Sequence, residues 1–97
     1  MNKVVINNCY GGFSISDEAV TWMREHGSAI EYGDNYAKGI PRHDPILVAC
    51  VEALGESANG MVAELTVVTI EGSQYRIHEY DGMESVQEPS DLKWIKI

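Results

Sequence analysis

Basic residues are scarce in this 97-residue chain: seven Lys and Arg stand against fifteen Asp and Glu, a formal net charge of −8. A sequence-independent grip on nucleic acid, or on an anionic membrane surface, needs clustered cations to replace counterions, so both are excluded as expected partners. Apolar runs are equally short. None approaches the roughly 20 residues of a spanning helix, and the N-terminal run Val4-Val5-Ile6 turns polar at Asn7, too soon for a secretory signal. A cytoplasmic protein is expected. Cysteine is limited to Cys9 and Cys50, without CxxC spacing, which points to two reduced core thiols rather than a disulfide frame or a zinc site.

The remaining composition, 44% hydrophobic and 23% charged, is that of an ordinary folded domain, and the length suits one domain, residues 1–97. Lys3 to Asn8 reads as a strand buried on both faces. Ser16 then caps a helix running to His26, with Asp17 and Glu18 on its first turn, Ile15 and Val20 as a hydrophobic staple, and Gly27 beyond its end. Residues 28–43 show no period and form a loop. Asp44 caps a second helix with Pro45 at its first position and an inner stripe of Ile46, Leu47, Cys50, Val51 and Leu54, ending at Gly55.

The last third changes period. Met61 to Ile70 reads as a strand, Tyr75 to Tyr80 as another, and Asp81-Gly82 as a two-residue type I′ turn leading to Met83–Gln87. That turn sets Tyr80 opposite Met83, Glu79 opposite Glu84 and Ile77 opposite Val86. The order β-α-α-β-β-β predicts an α+β domain with two helices packed on one face of a mostly antiparallel sheet. Residues 88–97, with Leu92, Trp94, Ile95 and Ile97, are too apolar for a free tail and are expected to dock on the body or on a partner.

Two surfaces carry chemistry. Gly11, Gly12, Phe13 and Ser14 form a diglycine bend before a helix start, where the backbone offers N–H groups to an anion; Arg42 and His43, beside the second helix start, supply a guanidinium fork and an imidazole to the same pocket. A tight turn for the first and a surface ion pair for Arg42 are the plain alternatives. Glu79, Asp81, Glu84, Glu88 and Asp91 lie between residues 79 and 91 with no basic residue among them, and with Trp94 they form an acidic face for a basic protein. His26, His43 and His78 stand in separate elements with no nucleophile spaced to them, so no catalytic residues, metal or cofactor are assigned and a non-enzymatic protein is expected.

Three runs, Val5 to Ser16 (VINNCYGGFSIS), Arg42 to Val48 (RHDPILV) and Glu79 to Gly82 (EYDG), resemble a family of small bacteriophage and prophage proteins with the pattern N-x-C-Y-G-G-F-x-[LI]-S, R-x-D-P-x-L-V and E-Y-D-G. The resemblance implies an accessory protein expressed in the cytoplasm of a bacterial host. Family members often end in a His-Arg pair and a Trp, whereas this chain has Pro89-Ser90-Asp91 and then Leu92 to Ile97. Two functions follow: binding and inhibition of a host protein, such as a defence factor with a basic site, through the acidic face, or an oligomeric sponge that sequesters a small phosphorylated nucleotide signal at the bend.

Overall fold

The computed structural model describes residues 2–89. The expected docking tail from residue 90 onward, with Asp91 and Trp94, lies outside the described residues. Within them the order is β1 (Asn2–Asn7), α1 (Asp17–Glu25), α2 (Pro45–Leu54), a 3-10 turn (Gly55–Ala58), β2 (Leu65–Ile70), β3 (Arg76–Tyr80) and β4 (Met83–Gln87). The class is α+β.

Local chemistry sets the helix starts. Ser16 Oγ accepts from the Ala19 N–H at 3.0 Å, and the Asp44 carboxylate accepts from the Ile46 and Leu47 N–H groups, with Pro45 at the first helical position. Each cap satisfies donors that have no partner within the helix and is worth about 1 kcal/mol. Gly55 ends α2 at a positive φ of 56°.

The strands form two antiparallel pairs, β1 with β2 and β3 with β4, rather than one sheet. β1 explains the division. Val5 belongs to the cluster made with both helices, Leu65 and Val67, while Val4 and Ile6 belong to a second cluster with Val68, Ile70, Tyr75, Ile77 and Val86. Alternate residues of a strand point to opposite faces, so a strand that is apolar at consecutive positions needs a cover on each side. Helices cover one face and the β3–β4 hairpin covers the other. The hairpin therefore adds a layer and does not extend the sheet.

Asp81 and Gly82 have φ of 53° and 93°, as a type I′ turn requires, and set Glu79 opposite Glu84 and Tyr80 opposite Met83. β2 begins at Leu65, four residues later than Met61. Residues 61–64 instead form a turn in which the Ala63 N–H donates to Gly60 O, and the Asn59 side chain accepts from the Leu65 N–H at 2.8 Å.

The cysteines differ. Cys50 is fully buried in the helix cluster, and its burial, followed by the charge of Glu18, pushes the thiol from 9.0 up to about 11. Cys9 is only half-buried and donates its S–H to Val62 O at 3.0 Å, so it is not the core thiol expected from sequence. One equivalent of a thiol reagent is expected to react with the native protein at Cys9, and the second only after unfolding, as thiol titration with and without denaturant would show. A thiol whose native pKa is raised stabilises the fold fully below the unfolded pKa and loses that contribution as pH rises from 9.0 towards about 11. Stability of the Cys50→Ala variant should accordingly fall less than wild type over that window.

Candidate functional site

Asn7 is fully buried at the end of β1, and among the described residues Glu84 is the one other polar side chain that is buried. Its amide is completely used: Nδ2 donates to Cys9 O and Gly82 O at 2.8 and 2.9 Å, and Oδ1 accepts from the Glu64 N–H at 2.8 Å. Its backbone N–H donates to a carboxylate oxygen of Glu84, which is 6% exposed. Arg42 meets that carboxylate with two parallel hydrogen bonds, one of 2.9 Å between Nη2 and Oε2, and its guanidinium lies 3.6 Å above the Phe13 ring. The backbone of Arg42 also bonds the outer edge of β1, accepting from the Val5 N–H at 2.9 Å.

This arrangement corrects two expectations. Arg42 is not a free anion ligand: its fork is filled by Glu84, a bidentate geometry that leaves little for a second carboxylate or phosphate. Glu84 is not part of an acidic docking face. It opposes Glu79 in register as expected, but it is buried and neutralised by Arg42, which removes the like-charge conflict. The sequence signal that would have found it is Asn7: a buried amide inside an apolar strand demands partners from distant segments.

The other predicted residues separate likewise. His43 is exposed, its Nδ1 2.8 Å from the Tyr75 hydroxyl, and it does not line the diglycine depression. Glu88 accepts from the Glu71 and Gly72 N–H groups at 3.2 Å, so it braces the turn after β2. Glu79 and Asp81 remain exposed at the hairpin tip.

Gly11, Gly12, Phe13 and Ser14 line a depression of about 610 Å³, together with Asp17, Asn35, Tyr36, Asn59, Met61 and Val62. Ile15 and Asn59 pair across its floor as an isolated bridge, and Asn35 Nδ2 donates to Ile15 O and to Asp17 Oδ1. Tyr10 and Gly11 form a hydrogen-bonded turn, and the N–H groups of Gly11, Phe13 and Ser14 meet no backbone acceptor among the described residues. The bend is also where separate segments close on one another. A Cβ on Gly11 would lie 1.8 Å from Val62 O, and one on Gly82 would lie 2.3 Å from Tyr10 O.

Large side chains at this depression are exposed: Met61 fully, Val62 56% and Tyr36 67% in its wall, with Tyr10 62% in the bend and Tyr80 71% in the hairpin whose Gly82 abuts the Tyr10 backbone. Sequence reading assigned Met61 and Val62 to a strand and so missed them. Among the described residues no three His, Cys, Asp or Glu side chains come together to hold a metal ion, and no helix is long and apolar enough to cross a membrane. Scans against protein-family models, curated proteins and solved structures give no match to the chain.

Proposed function

We propose that the protein acts by binding, as a non-enzymatic phage accessory protein that occupies and inhibits a host protein in the bacterial cytoplasm. The observation that carries this reading is the exposure of Tyr10, Met61, Val62 and Tyr80 on segments that meet at the bend, with exposed Glu79 and Asp81 at the hairpin tip and Asp17 in the depression wall. Aromatic side chains and Met are the residues that anchor protein interfaces once water is excluded, and a carboxylate rim selects a basic partner and speeds encounter. The docking residues are thus Tyr10, Met61, Val62, Glu79, Tyr80 and Asp81, a smaller acidic contribution than the residue count from 79 to 91 suggests. The likeness of the Asn7–Ser16, Arg42–Val48 and Glu79–Gly82 runs to phage sequences supplies the host setting.

A tagged chain is expected to retain a specific band from bacterial lysate that Tyr80→Ser or Glu79→Lys/Asp81→Asn loses, with each variant melting as wild type does. Retention of the band by both variants refutes this surface.

One observation favours a second reading. Gly11, Phe13 and Ser14, whose N–H groups meet no backbone acceptor among the described residues, line a depression large enough for a nucleotide, and an oligomeric sponge for a small phosphorylated signal would use them. Asp17 in the same wall opposes it. A nucleotide held there would raise the melting temperature by several degrees at saturating concentration, which a thermal-shift screen of mono- and cyclic dinucleotides reads directly.

A further inference from the structure

Among the described strands β2 has a partner on one side only. β1 pairs along it with Val5 opposite Val67 and Lys3 opposite Thr69, and the Val5 backbone turns away from β2 to bond Arg42. In an antiparallel ladder the residues of such a pair both direct their N–H and C=O groups outward. Leu65, Val67 and Thr69 therefore present their backbone at the free edge of β2. The Leu65 N–H is taken by Asn59, whereas the N–H and C=O of Val67 and Thr69 meet no partner among the described residues.

This edge lacks the usual protections. Leu65–Ile70 reads LTVVTI, without a charge, a proline or a glycine, in a chain that is 23% charged as a whole. Uncharged, β-branched free edges are templates for another strand. A depression of about 600 Å³ runs beside the edge, walled by Val51 and Gly55 at the end of α2 and by Glu56, Glu64, Leu65 and Val67. An added strand would lie about 4.8 Å from β2 and so within that depression.

We propose that the free edge of β2 is a strand-addition site for an extended segment of a partner protein, β-branched at its centre and carrying Lys or Arg at both ends. The charges select this occupant. Exposed Glu64 and Glu71 flank the neutral stretch, and Glu56 stands in the groove. A second copy of the chain paired antiparallel across this edge would bring together two molecules that each carry −8, with Glu64 and Glu71 at the ends of both strands. A segment with basic ends turns the same two positions into attraction. The main chain supplies affinity and the flanking carboxylates supply choice, the division seen in strand-addition recognition generally. This edge adjoins the depression at the bend, with Asn59 bordering both, but it uses other residues than Tyr10, Met61, Val62 and Tyr80 and stands whether or not those bind a host protein.

The test uses fluorescent peptides with a Val-Thr-Val-Thr-Val centre and two Arg, or two Glu, at each end, titrated against the full chain in an anisotropy assay. The Arg-flanked peptide is expected to bind saturably and at least tenfold more tightly than its Glu-flanked counterpart. Thr69→Pro, which removes an outward N–H, should weaken binding at least tenfold with the melting temperature retained. Should that variant fail to fold, Glu64→Lys/Glu71→Lys serves instead and should reverse the order of the two peptides. Equal binding of both peptides, or none, overturns the proposal. So does binding that appears only in a full-length Leu92→Ser/Trp94→Ser variant, which assigns the edge to the chain's own last residues, and so does a concentration-dependent dimer lost in Thr69→Pro, which assigns it to a second copy.

Discussion

Replacing Arg42 by Ala is expected to cost about 3 kcal/mol or more of folding stability, because it leaves a buried carboxylate without its cation. Glu84 is 5% exposed at its side chain and Arg42 22%, so water replaces little of what is lost. The Asn7 N–H remains, yet one neutral donor does not compensate a buried charge. For a domain of this size such a loss lowers the melting temperature by about 12 °C or more. The converse change, Glu84→Leu in the presence of Arg42→Met, should restore much of the loss, since a Met stem still covers Phe13 and no charge stays buried. Urea denaturation of Arg42→Met, Glu84→Leu and the double variant forms a cycle, and a coupling of less than about 0.5 kcal/mol would contradict a buried pair. The same measurement separates a structural Arg42 from a ligand-binding one, because removing a free surface arginine leaves stability within about 0.5 kcal/mol.

The second large effect is at the diglycine bend, where backbone angle and crowding predict opposite orders. Gly12 has a φ of 88° but open space around its missing side chain. Gly12→Ala therefore carries only the left-handed penalty, about 1–2 kcal/mol. Gly11 has no such angle, yet a Cβ there would press on the Val62 carbonyl and Cβ at 1.8 and 2.7 Å. Backbone cannot step aside as a flexible side chain can, so Gly11→Ala must separate the bend from residues 61–62 and is expected to cost about 3 kcal/mol. Gly82→Ala combines both burdens, with a φ of 93° and the Tyr10 carbonyl at 2.3 Å, and should be the least stable of the three. Thermal melts of the three alanine variants would rank them, and a Gly12 variant worse than Gly11 would show that the bend tolerates separation.

What could be read from sequence followed the range of the forces involved. Ser16, Asp44 and Pro45 act on N–H groups within three residues of themselves, so both helix starts were visible in the chain. Asp81-Gly82 fixes its own φ values, and with them the facing of Glu79 and Glu84. The role of Glu84 was hidden because its cation comes from 42 residues away, and proximity of carboxylates along the hairpin suggested an acidic face where the fold makes an ion pair. Met61 to Glu64 carry strand-forming residues, but the turn at Asn59-Gly60 and the bond from Asn59 to Leu65 delay the strand. The split into two strand pairs was implicit in β1. A strand apolar at Val4, Val5 and Ile6 requires two covers, and only the hairpin was left to supply the second.

For the bend, sequence proximity suggested the wrong company. Gly11 to Ser14 do line a depression, but the basic residues expected beside them are turned to other work, Arg42 to Glu84 and His43 to Tyr75.

The Asn7–Glu84 bond joins residues 77 apart, and that separation sets a schedule on synthesis. β1 leaves the ribosome before the β3–β4 hairpin is made, and its buried amide and one of its apolar faces wait for residues synthesised 77 positions later. At about 5–20 residues per second the wait is roughly 4–15 s, during which Val4, Ile6 and Asn7 are open to solvent or to a chaperone. Any message truncated before the last hairpin yields a chain that is unable to close its central strand, and degradation should remove it before it can bind a partner.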